Sequence, residues 1–122
     1  MKKIFSYVAI PSTDFGRAFA FYSAITGGLI NRNPHVPFPM AYFVDKEGKE
    51  VGHLFQLPNF KPSLDGPIVY MELSEDLNDT LVLVEKAGGK VLMQKTLIAP
   101  GKGYWALFTD TDGNKLALHS IE

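Results

Sequence analysis

The chain has no cysteine among its 122 residues. That excludes disulfides, a thiolate nucleophile and Cys-ligated zinc. It has almost no surplus of charge, with 12 Lys and Arg against 13 Asp and Glu and a net charge of −1. Nucleic acid and anionic membrane are therefore not expected as partners, because no basic excess exists to neutralise phosphates. It also lacks long hydrophobic runs. No apolar stretch approaches the length of a membrane span, and Val8–Ile10 is too short for a signal peptide. These absences predict a soluble cytoplasmic protein. What is present is an ordinary globular composition, 46% hydrophobic and 20% charged, at a length suited to one domain with a real core.

The clearest local signal is Gly103–His119. An aromatic, β-prone run leads into a turn carrying Asp112–Gly113, and the apolar-rich strand Lys115–His119 follows. Asp-Gly between two such runs is a strong hairpin signal. The same grammar occurs at Ala41–Gln56, where Phe43, Asp45 and Gly48 match Phe108, Asp110 and Gly113 about 65 residues later. Self-similarity at a fixed spacing is the signature of a duplicated unit.

The rest of the chain agrees with a duplication. Ile4–Ile10 reads as a strand stopped by Pro11. Ser12, Thr13 and Asp14 supply N-cap chemistry, and Phe15, Ala18, Phe19, Tyr22 and Ile25 recur at helical spacing over residues 14–26. Gly27 and Gly28 end that helix. Leu29–Arg32 is a short strand. Asn33–Pro39 carries three prolines and is read as a loop or lid, since each proline removes a ladder donor. Met40–Asp45 and Val51–Leu57 make the first hairpin. Unit one is then about residues 1–57, with a connector at 58–66 and unit two at about 67–122. In unit two, Pro67–Leu73 is a strand and Ser74 or Asp76 caps a helix bearing Leu77, Leu81 and Val84. Gly88 and Gly89 close that helix. Lys90–Thr96 is a strand, Ile98–Lys102 a loop, and the main hairpin completes the unit. Each half reads strand–helix–strand–strand–strand. Asp110-Thr-Asp112-Gly113 is not an EF-hand loop, because Gly stands fourth rather than sixth and no helix follows. Gly88-Gly89-Lys90 lacks the residues of a phosphate loop and reads as a helix C-cap.

Ile10-Pro11, Asp14, Arg17-Ala18 and Phe21-Tyr22, followed by Gly88-Gly89-Lys90-Val91 and Asp110-Thr-Asp-Gly113-Asn114, resemble the vicinal oxygen chelate superfamily. This is the group of glyoxalases, bleomycin resistance proteins and extradiol dioxygenases. The resemblance implies an α+β protein whose two repeated βαβββ units form an incomplete barrel around a cavity, often as a homodimer. It also implies where a metal would be held. Metal-using members carry His, Gln or Glu at set positions, and the matching positions here are Tyr7, Gly52, Tyr70 and Ala117. None is a usual ligand for zinc, nickel or iron. No metal site and no cofactor are therefore expected, and a divalent metal stays open as the alternative.

Strand alternation predicts the cavity lining. If Ala117 points inward, so do Lys115 and His119, while Leu116 and Leu118 pack under the helices. Pairing Asp110 with Lys115 places Phe108 and Ala106 on the same inward face, and a weak ion pair between Asp110 and Lys115 is expected. By the repeat, Phe43, Gly52, Leu54 and Gln56 line the cavity, and Tyr7, Ala9, Tyr70 and Glu72 complete it. Glu72 and His119 are the candidate catalytic or ligand-orienting groups. His53 is expected to face the helix layer or solvent, and His35 to be exposed in the proline-rich loop.

Three functions follow. The first is a metal-free protein that binds a small, partly aromatic molecule through aromatic walls. The second is a metal-dependent lyase, isomerase or dioxygenase with ligands drawn from His53, Gln56, Glu72 and His119. The third is a structural dimer whose interior is filled by Tyr7, Phe43, Tyr70 and Phe108.

Overall fold

The computed structural model of the chain describes residues 3–122. A carboxylate starts each helix. Asp14 accepts the Arg17 backbone N–H at 3.3 Å and opens α1, Phe15–Ile25. Asp76 accepts the Asn78 N–H at 2.9 Å and opens α2, Leu77–Lys86. Positive-φ glycines follow both helices, Gly27 and Gly28 after α1 and Gly88 after α2. Among the described residues no helix is long and apolar enough to cross a membrane.

Each half builds one four-stranded mixed sheet. Unit one supplies β1 (Val8–Pro11), β2 (Ile30–Arg32), β3 (Met40–Val44) and β4 (Glu50–Phe55), in the order β1-β4-β3-β2. Unit two supplies β5 (Val69–Met71), β6 (Lys90–Ala99), β7 (Gly103–Thr109) and β8 (Lys115–Ser120), in the order β5-β8-β7-β6. In both sheets the first strand runs parallel to the last, β1 with β4 and β5 with β8, and the remaining pairs are antiparallel. The expected βαβββ duplication is therefore the fold.

One core serves both halves. Tyr22 of α1 meets Phe43 of the first sheet edge-on at 5.1 Å, and the neighbouring Phe21 meets Phe108 of the second sheet at 6.2 Å. Leu77, Leu81 and Val84 of α2 join Ile10, Leu54, Leu116 and Leu118 in the same cluster. Each sheet thus turns one face to this shared core and the other face away from it.

The twin turns explain how the halves lock together. In unit one, Asp45 Oδ1 accepts the Glu47 and Lys49 N–H groups, and the Gly48 N–H donates to the Asp45 carbonyl. In unit two, Asp110 Oδ1 accepts the Asp112 and Asn114 N–H groups, and the Gly113 N–H donates to the Asp110 carbonyl. The same carboxylate organises the same turn twice. The second turn does more. Asp110 Oδ2 accepts the Tyr22 hydroxyl at 2.6 Å and the Asn114 side-chain amide at 2.9 Å. Asp112 Oδ1 accepts the Thr13 and Asp14 N–H groups at the start of α1. Asn114 donates to the Pro11 carbonyl at 2.8 Å. The turn of unit two is thereby seated on the first helix of unit one, whereas Glu47, Gly48 and Lys49 of its twin are exposed.

Some boundaries differ from expectation. The first strand begins at Val8 rather than Ile4, and Ile4 and Phe5 are 82% and 87% exposed. β6 runs on to Ala99, past Thr96, because β7 offers it partners as far as the Ala99–Gly103 pair. β5 spans only Val69–Met71; Pro67 has no N–H for a ladder.

Candidate functional site

The faces turned away from the core carry matching sets of side chains. On the first sheet, Tyr7 just ahead of β1, His53 of β4 and Tyr42 of β3 lie together. The Tyr7 hydroxyl is 3.0 Å from His53 Nδ1, and Tyr42 pairs directly with His53 across the strands. On the second sheet, Tyr70 of β5, His119 of β8 and Trp105 of β7 are arranged in the same relative register, Trp105 pairing with His119. The Tyr70 and Trp105 rings stack across β8 with 10° between their planes and centroids 6.0 Å apart. Ala117, which pairs with Tyr70, is 0% exposed there.

His119 is held from both sides. Its Nδ1 lies 2.8 Å from Glu72 Oε1 and its Nε2 lies 3.0 Å from the Lys102 carbonyl. Two acceptors around one ring favour the imidazolium, so the Lys102 carbonyl first and Glu72 second raise its pKa above the usual histidine value. His53 behaves oppositely, since partial burial lowers its pKa. The two histidines shift in opposite directions, which gives the two sheets different chemistry.

The structure redistributes several expected cavity residues. Phe108 pairs with Leu116 and Ala106 with Leu118, so Phe108 and Ala106 belong to the core. The cause is a register one residue away from the expected one. Asp110 closes its turn on Asn114, not Lys115, and a one-residue slip sends every side chain to the other face. The expected Asp110–Lys115 ion pair is absent for the same reason; the Asp110 carboxylate is buried and occupied by Tyr22, Asn114 and the turn N–H groups. Phe43 and Leu54 likewise face the core. Gly52 sits on that side too, and strand alternation makes Val51 the outward residue beside Tyr7. A Cβ on Gly52 would lie 2.5 Å from the Val8 carbonyl oxygen, so the close approach of β1 requires glycine. Gln56 is committed to accepting the Phe15 N–H at 2.9 Å. His53, expected on the helix layer or in solvent, is half-buried on the outward face with Tyr7. His35 is exposed as expected.

Tyr7, Ala9, Tyr70, Glu72, Ala117 and His119, expected to line one cavity, lie on the faces turned away from the core, divided between two sheets. A groove of about 620 Å³ along the free edges of β1 and β5 gathers Phe43, Gly52, Tyr70 and Glu72 with Val8, Ile10 and Met71. Tyr42 and Trp105 were missed. Their cross-strand pairing to His53 and His119 follows from the register, and the alternation next to Phe43 and Ala106 carried that signal once the turn was placed correctly.

Two βαβββ units, each with one free sheet face and an edge strand running parallel to its partner, define a class of two-unit, half-barrel proteins. The profile of the Glyoxalase/Bleomycin resistance protein/Dioxygenase superfamily matches residues 4–118, and the chain belongs to that superfamily. Among solved structures it is similar to a hypothetical protein from S. aureus, at 22% identity and TM-score 0.73, covering 98% of this chain and 94% of that one. It is also similar to the fosfomycin resistance protein FosX from Listeria monocytogenes, at 15% identity and TM-score 0.72, covering 98% and 94%. A glyoxalase/bleomycin resistance protein from Albidiferax ferrireducens is comparable, at 20% identity and TM-score 0.72, covering 95% and 97%. No curated protein matches the chain. A variant of FosX was solved with Mn(II) and 1S,2S-dihydroxypropylphosphonic acid.

At the positions the family resemblance gives to metal ligands this chain carries Tyr7, Gly52, Tyr70 and Ala117, which offer no set of three or four good ligands, and Val51, which takes the outward place beside Tyr7, adds none. Among the described residues no group of three or more His, Asp or Glu side chains is placed to hold a metal ion.

Proposed function

We propose that this protein binds a small, partly aromatic molecule without a metal, in a cavity formed when the outward faces of two copies of the chain come together. The observation that carries the reading is Ala117. It holds the position given to a metal-binding carboxylate by the family resemblance, and it lies fully buried at the stacked rings of Tyr70 and Trp105. An aromatic platform stands where a charged ligand would be needed, and such platforms suit flat organic molecules.

The need for a second copy rests on surface. The chain exposes 7599 Å², while a compact monomer of 13.5 kDa exposes about 6,500 Å². The excess of roughly 1,000 Å² is close to what one partner buries in a standard interface. The two outward faces and their edges contribute exposed apolar groups, with Tyr7, Val51 and Tyr70 41–52% exposed.

The metal-dependent alternative has less support. Gln56 is committed to a helix N-terminus, Glu72 and His119 to one another, and His53 stands on the other sheet.

The test uses the single tryptophan. Trp105 emission is followed while a library of aromatic small molecules is titrated into purified protein, with metal content measured by mass spectrometry and mass by light scattering. Saturable quenching by a metal-free dimer supports the proposal. A stoichiometric bound metal, or a monomer, overturns it.

A further inference from the structure

We propose that His53 and Tyr42 form a subsite for an acceptor oxygen, a carbonyl or carboxylate carried by the aromatic ligand, and that they hold it by donated hydrogen bonds where a metal would otherwise serve. This inference rests on the binding reading above and assigns chemistry to the first sheet.

A phenol is a better donor than a neutral imidazole N–H, and an unprotonated imidazole nitrogen is a better acceptor than a phenol oxygen. In the 3.0 Å contact between Tyr7 and His53 Nδ1 the hydroxyl therefore donates. With Nδ1 accepting, a neutral His53 carries its proton on Nε2. Among the described residues no protein group takes that Nε2–H, and the atom is not sealed from solvent.

Tyr42 is set up the same way. The Asn33 side-chain amide donates to its hydroxyl oxygen at 3.3 Å. The Tyr42 O–H is left to donate outward. The two rings are neighbours on paired positions of β3 and β4, with centroids 6.5 Å apart and planes at 76°. Phe55 packs edge-on against His53 at 5.3 Å and limits its rotation. Two uncharged donors, each oriented by a partner behind it, thus stand side by side on an otherwise apolar face. Such a pair selects an acceptor oxygen and rejects a group that offers only donors.

The second sheet is unlike this. There both nitrogens of His119 are engaged, by Glu72 and by Lys102. The two faces would then divide the ligand, with the ring on Tyr70 and Trp105 and the oxygen on His53 and Tyr42.

The experiment is an NMR titration of ¹⁵N-labelled intact protein with three probes of similar size: benzoate, acetophenone and benzylammonium. Benzoate and acetophenone are expected to move the His53 Nε2 resonance and to bind about tenfold more tightly than benzylammonium, the equivalent of one good hydrogen bond. Tyr42→Phe and His53→Phe should each abolish the preference, and His53→Gln, which restores an N–H donor, should recover part of it. In the free protein, Tyr7→Phe should shift the His53 tautomer signals, a readout independent of any probe. If benzylammonium binds as well as the others, or the preference survives both phenylalanine variants, the subsite is refuted while the aromatic binding reading stands. If no probe binds and Trp105 emission is unchanged, both readings fall.

Discussion

Replacing Tyr22 by phenylalanine removes one oxygen atom from the middle of the molecule, and the structure says what that should cost. The hydroxyl donates to Asp110 Oδ2 at 2.6 Å, with Tyr22 0% and Asp110 3% exposed. Phenylalanine fills the same space, so no cavity term enters. What is lost is a short bond to a buried carboxylate, worth about 2 kcal/mol within the 1.5–3 kcal/mol typical of charged acceptors. Asp110 Oδ2 keeps only the Asn114 amide. For a chain of 122 residues the unfolding entropy at Tm is roughly 0.26 kcal/mol/K, so Tm should fall by about 8 °C. A double-mutant cycle with Asp110→Asn should show coupling above about 1 kcal/mol. Alkaline titration gives a second reading. Burial, followed by the charge of Asp110, raises the Tyr22 pKa well above the usual phenol value. The fold holds that proton more tightly than the unfolded chain does. Stability from this group is therefore intact below about pH 10 and declines as pH rises beyond it. Tyr22→Phe should lose that component of the alkaline decline. A Tm change under about 2 °C, or coupling under about 0.5 kcal/mol, would refute the view that this bond ties the two halves together.

Gly52→Ala should destabilise by more than about 2 kcal/mol, because the new methyl meets a backbone oxygen that cannot move without parting β1 from β4; chemical denaturation measures it. The His119 titration midpoint, followed by NMR, should lie above the unfolded value of about 6.5 and fall in Glu72→Gln. The sign follows from the raised pKa: the restraint on Lys102 is complete below about pH 6.5 and is released as pH climbs through the folded-state midpoint, with faster amide exchange at residues 98–102 as the readout. His53 has the opposite sign, and its lowered pKa makes acidification below about pH 6.5 unfavourable to the fold. Ala117→Leu should separate the Tyr70 and Trp105 rings, shift the emission of the single tryptophan and cost about 1–3 kcal/mol of overpacking.

The sequence made the architecture readable because its punctuation is doubled. Asp14 and Asp76 cap helices, Gly27 and Gly88 follow them, and Asp45 and Asp110 build the same turn. These are local effects, and short stretches suffice to encode them. The lining of the site was harder, because it depends on register. Whether Asp110 closes on Asn114 or Lys115 decides if Phe108 or Leu107 faces outward, and composition is indifferent between them. In unit one a register shift between Phe43 and Val44 repeats the problem for Gly52 and Val51. Tyr7, Tyr70, Glu72, Ala117 and His119 share a side with one another as strand alternation from Ile10-Pro11 and Asp112-Gly113 implies, because the strands that carry them are uninterrupted. The partners that give them meaning, the Tyr7–His53 and Glu72–His119 contacts, join strands far apart in the chain.

The turn at Asp110–Asn114 has a consequence for how this chain folds. Helix α1 is only the second element synthesised, and Asp14 and Gln56 of its own half satisfy its first N–H groups. The segment that leads into it is held from the other half, because Asp112 accepts the Thr13 and Asp14 N–H groups from 98 and 99 residues later in the chain. That contact waits for the last hairpin, which raises the contact order and delays the final locking step. The twin turn at Asp45–Lys49 is largely exposed, so the halves are not interchangeable. Cleavage in the 58–66 connector would yield two fragments, each unfinished alone and able to complement the other.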